Sequence, residues 1–271
     1  PELLAKQLSA ETHREKGCLI HNATGRRVAA VMPVYTLGMP ADMDSIVQIA
    51  KDYNLPVIAD GAAALGATYK GHPSGKLGAD LTVYSFNGNK TITAGGGGAV
   101  AGEDTELLKL VRHLSNTAKV GEDYHHDRVG FNYRMTNIAA AVGCAQVERL
   151  AEFVAIKRKI QRKYNEAIKN LPGVRLLPQP EWADGACWLS GITMPNFESA
   201  ESLRGQLKEN NIEAKAFWKS IHLQPMFLNS PATAQPVSSD IWNRIVILPC
   251  STGLTESEQK KVIDTIGKYF H

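Results

Sequence analysis

Four cysteines, Cys18, Cys144, Cys187 and Cys250, are scattered through 271 residues. None forms a C-x-x-C pair, so the sequence offers neither a zinc site nor a disulfide framework. Such cysteines fit a reducing cytosol, where they pack as small hydrophobes, and a cytoplasmic location is expected. His125 and His126 lack a third ligand at metal spacing, so no metal is expected either. No apolar run reaches the roughly 18 residues that a membrane helix needs, and there is no signal peptide pattern. Excess charge is also scarce: 30 Lys and Arg against 27 Asp and Glu leave +3. These charges are dispersed rather than gathered into a nucleic-acid stripe. The most basic stretch, Lys157-Arg158-Lys159 with Arg162 and Lys163, reads as the solvated face of a helix. The chain begins at Pro1 without a methionine, which points to a processed chain or a fragment.

A composition of 44% hydrophobic and 21% charged residues suits one large domain plus a smaller one. A helix is expected from Pro1 to Lys16, then a polar linker. Val28 to Val34 reads as a buried strand broken only by Pro33. Asp42 is a candidate N-cap for a helix reaching Tyr53. Leu55 to Ala59, Asp80 to Ser85 and Gly98 to Ala101 read as further strands. Strands alternating with helical patterns argue for an α/β fold, a mostly parallel sheet sandwiched by helices. Helices follow from Asp104 to Ala118, from Thr136 to Leu150 and from Glu152 to Leu171. Pro172-Gly173 marks the expected boundary between a large domain, residues 1–171, and a small C-terminal α+β domain, residues 172–271. In the latter, strands are expected at Val174 to Leu177, Ala186 to Met194, Ile212 to Phe217 and Arg244 to Leu248. Helices are expected at Ala200 to Asn210 and Thr255 to Phe270, and a Pro/Ser-rich loop at Pro225 to Ser238.

The chemistry gathers around Asp60 and Lys90. Asp60 ends an apolar run, where ligands bind in open α/β sheets; its alternative reading is a helix N-cap for Gly61 to Ala64. Lys90 follows Ser85-Phe86-Asn87-Gly88-Asn89, and Gly95 to Gly98 come after it. A lysine amine able to form a Schiff base and a carboxylate for a pyridine nitrogen are what pyridoxal phosphate requires. Lysine must be desolvated, or placed near another cation, to be nucleophilic at neutral pH. The glycines let the backbone approach a ligand or another chain closely. Ser85 could donate a hydroxyl to a phosphate, or be an ordinary strand-end serine. Asn132 and Arg134, just before a helix, carry donors suited to phosphate or carboxylate, or belong to a plain entry turn. His222 is a candidate for a polar substrate pocket.

Taken in order, these motifs resemble the DegT-type, pyridoxal-phosphate-dependent nucleotide-sugar aminotransferases, which have the aspartate aminotransferase-like fold. The resemblance runs over essentially the whole chain. It rests on Pro33-Val34-Tyr35-Thr36-Leu37-Gly38-Met39-Pro40-Ala41-Asp42-Met43, on Asp60-Gly61-Ala62-Ala63-Ala64-Leu65-Gly66-Ala67 and on Ser85 to Lys90 with its glycine run. It continues in Gly130-Phe131-Asn132-Tyr133-Arg134-Met135-Thr136-Asn137, Leu248-Pro249 and Leu254-Thr255-Glu256. The resemblance implies that Lys90 carries the cofactor and shuttles the proton, that Asp60 pairs with the pyridine nitrogen, and that Ser85 holds the phosphate. It implies that Asn132 reaches the cofactor of a neighbouring subunit in a homodimer, and that Arg134 and His222 contact substrate or amino donor. Glutamate is the implied donor. The wording around Lys90 and His113-Leu114-Ser115-Asn116-Thr117-Ala118-Lys119 is most similar to enzymes acting on UDP-linked 4-keto-hexosamines for bacterial surface glycans. Lysine at position 90 separates the chain from the dehydratase branch, which has histidine there.

Two departures bear on that reading. Ala63 stands where family members commonly carry a glutamine for the cofactor's ring hydroxyl. Relatives also carry a further N-terminal stretch ahead of the point where this chain starts, so the chain alone is expected not to complete the cofactor site. The competing expectations are a non-catalytic remnant acting as a dimerisation module, and a generic lyase or racemase sharing the lysine and aspartate.

Overall fold

The computed structural model describes residues 1–270. The chain packs into two compact units: residues 1–153 with 180–186, and residues 154–179 with everything described from Cys187 on.

The first unit opens with α1 (Glu2–Glu11) and a hairpin of β1 (Thr12–Glu15) and β2 (Cys18–His21). The expected helix to Lys16 therefore stops early. Thr12 is extended at φ −133, and Lys16 and Gly17 take positive φ to turn the chain. Residues 31–35 then run parallel to β3 (Ile58–Asp60) through Ile58 N to Val31 O at 2.9 Å, Asp60 N to Pro33 O at 2.8 Å and Tyr35 N to Asp60 O at 2.9 Å. Pro33 has no N–H to donate, which interrupts the ladder. The segment is also not buried as expected, since Met32 is 61% and Val34 56% exposed. Between them lies α2 (Met43–Asp52), whose N-cap Asp42 accepts from Ser45 N as the sequence indicates. A small hairpin, β4 (Thr68–Tyr69) and β5 (His72–Pro73), precedes β6 (Leu81–Ser85) and β7 (Gly98–Ala101).

β3 and β6 pair in parallel with Asp60 opposite Val83, and β7 closes that side of the sheet antiparallel, Ser85 opposite Gly98. The parallel part is thus residues 31–35, β3 and β6. Met43, Ala50, Val57, Ala59 and Ala67 lie in the core beneath it. α3 (Thr105–Ser115) follows with Asp104 as its cap, then the β8 (Lys119–Val120) and β9 (His125–His126) hairpin. α4 (Asn137–Glu148) is capped by Thr136, and α5 (Leu150–Ile168) follows.

The second unit is an antiparallel sheet in the order β10-β12-β14-β13: β10 (Arg175–Leu176), β12 (Ser190–Thr193), β13 (Lys215–Ala216) and β14 (Ile245–Leu248). β11 (Ala183–Asp184) belongs to the first unit and pairs with β4. Every residue of β12 and β14 is buried, so both faces of the sheet centre are covered. α6 (Phe197–Glu209) and α8 (Glu256–Tyr269) each begin with a capping box, at Asn196 and Thr255. Ile160, Tyr164 and Ile168 of α5 share a core with Ile192, Leu203 and Val246. The packing therefore divides the chain within α5, at Val154, earlier than the Pro172-Gly173 break. β12 is shorter than the expected Ala186 to Met194 because Cys187 has φ 51, outside the strand region. The Pro/Ser-rich stretch holds a one-turn Pro225–Phe227 helix and α7 (Pro236–Ile241). Among the described residues no helix is long and apolar enough to cross a membrane.

Candidate active site

Asp60 and Ser85 are the last residues of two adjacent parallel strands. Both side chains therefore lie at the carboxyl ends of the strands, the ligand-binding end of an open α/β sheet. Asp60 caps no helix: Gly61 to Ala64 form turns, and its Oδ1 accepts instead from Ala62 N at 3.0 Å. Ser85 Oγ accepts from Asn87 N at 3.3 Å, a role that leaves its O–H as a donor for an anion.

Lys90 sits in a tight turn, its N–H donating to Asn87 O at 3.0 Å. The chain beyond it is anchored inward by Ile92 and Ala94, which are 2% and 4% exposed. Thr93 fastens the loop three ways. Its Oγ1 donates to Phe86 O at 3.1 Å and accepts from Gly95 N at 2.8 Å, and its N–H donates to Gln146 Oε1 of α4 at 3.4 Å. Burial holds the Lys90 ammonium below the ordinary lysine value, and the Asp60 carboxylate pulls the other way. The two residues therefore feel each other's charge, and burial is the larger effect.

The glycine run has a local explanation. Gly95 and Gly97 both have φ +79, and a Cβ on Gly98 would lie 2.2 Å from Tyr84 O. Only glycine lets β7 come this close to β6.

Asn132 and Arg134 lie on a separate, exposed segment of the same unit. It pairs with the end of α3 through Phe131 N to Leu114 O at 2.7 Å, Thr117 N to Phe131 O at 2.9 Å and Tyr133 N to Ser115 O at 2.9 Å. The structure thus puts Asp60 and Ser85 at neighbouring strand ends, with the Lys90 charge within reach of Asp60, and leaves Asn132 and Arg134 exposed. His222 belongs to the second unit, its Nε2 2.9 Å from Ser239 Oγ.

Two tyrosines went unnoticed in the sequence. Tyr35 donates its N–H to Asp60 O, and its hydroxyl is buried with no partner among the described residues. Burial, with Tyr84 nearby, pushes that phenol far up. Tyr84 bonds Ser74 Oγ at 2.9 Å, and Ser74 donates onward to Ala64 O. The signal was the alternation in Leu81 to Ser85, which puts Thr82 and Tyr84 on one face. Among the described residues no group of three or more His, Cys, Asp or Glu side chains could hold a metal ion.

Comparison with known proteins adds four findings. EpsN of Bacillus subtilis (strain 168), whose name is that of a pyridoxal phosphate-dependent aminotransferase, is 39% identical over 249 residues, which is 89% of this chain and 63% of EpsN. GDP-perosamine synthase of Escherichia coli O157:H7 is 35% identical over 245 residues, 90% of this chain and 66% of the enzyme. A crystal structure of a DegT DnrJ EryC1 StrS aminotransferase from Brucella abortus superposes with a TM-score of 0.83 at 28% identity, covering 89% of this chain and 64% of that one. The chain thus spans a little under two thirds of these relatives. The model of the DegT/DnrJ/EryC1/StrS aminotransferase family matches residues 9–267. With these motifs, this fold and that match, the chain belongs to the DegT/DnrJ/EryC1/StrS aminotransferase family.

Proposed function

We propose that this chain is a cytoplasmic, pyridoxal-phosphate-dependent aminotransferase that moves the amino group of glutamate onto a keto sugar carried by a nucleotide. The observation that carries the reading is Asp60 at the carboxyl end of β3 with Lys90 in the turn that follows the adjacent β6, Lys90 being partly desolvated and within reach of the Asp60 charge. The donor set fits the cofactor: an amine, a carboxylate and a hydroxyl of the chemistry each part of it needs. Thr91 Oγ1, beside Lys90, is also buried without a partner among the described residues, a polar atom suited to a polar ligand.

Lys90 would hold the cofactor through its amine and, once released, would carry the donor's α-proton on Nζ. Its lowered basicity suits that work, because a general base acts best with a pKa near the operating pH. Asp60 would face the pyridine nitrogen, and Ser85 the phosphate. Bound there, pyridoxal phosphate supplies an electron sink for the carbanion formed beside it. Asn132, which is exposed, would serve the cofactor of a second subunit in a homodimer with shared sites. Arg134 and His222 would contact the substrate or the amino donor. The sugar is proposed as a UDP-linked 4-keto-hexosamine destined for a surface glycan; the guanosine nucleotide in the name of GDP-perosamine synthase makes the base the point to test.

The test is turnover of glutamate to 2-oxoglutarate with UDP- and GDP-linked 4-keto sugars. Lys90→Ala should abolish it, and normal turnover in that variant would refute the assignment. Mixing Asn132→Ala with Lys90→Ala subunits should restore part of the activity if the site is shared. A second reading, a non-catalytic dimerisation module, is favoured by Ala63, an apolar side chain where a polar contact to the cofactor ring is expected. It predicts no turnover in any form of the protein.

A further inference from the structure

The second unit holds an aromatic and cationic arrangement that the lysine chemistry does not use. Trp218 is 52% exposed, although tryptophan is a large apolar side chain. It is held flat from behind: its ring stacks on Trp188 at 5.4 Å with an interplanar angle of 21°, and it leans on Phe217 at 4.8 Å. Trp188 is itself 4% exposed and fixed through its carbonyl, which accepts from the buried Lys157 Nζ at 3.1 Å. Lys157 Nζ also donates to Cys250 O at 2.9 Å, which ties α5 to this aromatic layer. Arg158 is the next residue on α5, and Arg162 lies one turn further on the same face. Burial pushes the Cys187 thiol up, while the cations of Arg158, Lys157 and Arg162 act against it, so their charges reach the residue preceding Trp188.

Resting on the sugar-nucleotide reading above, we propose that Trp218 is the stacking platform for the base of the sugar nucleotide, and that Arg158 and Arg162 take its diphosphate. An exposed indole, pre-positioned by a buried one, presents a π-face at little entropic cost. Guanidinium groups match diphosphate oxygens in charge and in hydrogen-bond geometry. Stacking is tolerant of base identity, so the platform should accept uridine and guanosine alike. Base selectivity would then come from elsewhere.

The experiment titrates UDP, GDP and inorganic pyrophosphate into the purified protein by calorimetry. Trp218→Ala should weaken UDP and GDP roughly tenfold or more and leave pyrophosphate unchanged. Trp218→Phe should keep most of the affinity. Arg158→Gln should weaken all three ligands. Far-UV circular dichroism checks that the variants fold, and borohydride trapping of pyridoxal phosphate on Lys90 is run in parallel. Equal UDP affinity in wild type and Trp218→Ala overturns the platform, as does absence of UDP and GDP binding by the wild type. If either occurs while Lys90 still traps the cofactor, the aminotransferase reading stands and only the platform fails. If Trp218→Ala alters self-association in sedimentation but not UDP affinity, the exposed indole is a subunit contact and the proposal is wrong.

Discussion

Replacing Asp60 with asparagine removes the negative charge that steadies the Lys90 ammonium while keeping the side chain's shape. Two effects act on Lys90: burial, which lowers its basicity, and the Asp60 carboxylate, which raises it. Without the carboxylate only the lowering effect remains, so Lys90 should become neutral at a lower pH. An ordinary lysine, with a pKa of about 10.4, is only about 0.4% neutral at pH 8. Each unit removed from the pKa multiplies the neutral fraction roughly tenfold and corresponds to about 1.4 kcal/mol. The assay is trace labelling with acetic anhydride across pH 6 to 11, read at Lys90 by mass spectrometry, with exposed Lys6 or Lys169 as internal references. The wild-type Lys90 midpoint should lie below that of the references, and Asp60→Asn should move it lower still. An upward shift, an unchanged midpoint, or a wild-type midpoint equal to the references would refute the electrostatic coupling that defines the site.

Thr93→Val keeps the shape of the Lys90 loop but deletes the Oγ1 bonds to Phe86 O and Gly95 N. At about 1 kcal/mol each, their loss should loosen the loop and move the Lys90 labelling midpoint toward that of an exposed lysine. Gly98→Ala places a methyl 2.2 Å from Tyr84 O, so β7 must part from β6. A loss of about 3 kcal/mol in urea unfolding is expected, and an unchanged midpoint would show the strand adapts without strain. Leu203→Ala, at a side chain that is 0% exposed in the second unit, should cost about 2–5 kcal/mol in the same assay. Asn196→Ala removes the capping box of α6 and should cost about 1 kcal/mol.

The sequence disclosed what short-range chemistry decides. Asp42, Asp104, Thr136 and Thr255 mark helix starts because a cap needs only its own first turn. The positions of Asp60 and Ser85 at strand ends, and of Lys90 just past one, follow from the apolar strand patterns in the same way. Features that depend on distant partners do not. β1 is polar, so no alternating pattern announces the β1–β2 hairpin, and its turn at Lys16-Gly17 relies on a positive φ in a lysine. Residues 28–34 look like a buried strand by hydropathy, yet the Pro33 gap and the exposure of Met32 and Val34 become visible only once β3 is alongside. The glycine run reads in the sequence as room for a ligand or another chain, whereas the structure uses Gly98 for the close approach of β7 to β6. The backbone bond from Tyr35 to Asp60 and the packing of the Tyr84 ring against Gly61 needed the sheet to bring these residues together.

The most direct measurement of the central claim is an absorbance spectrum with added pyridoxal phosphate, followed by borohydride reduction and peptide mapping. It should be made on this chain and on the same chain within a protein of its relatives' full length. The account predicts a visible band and a label confined to Lys90 in at least one of the two, lost in Lys90→Ala. A label spread over surface lysines, or none on Lys90 in either protein, would contradict it.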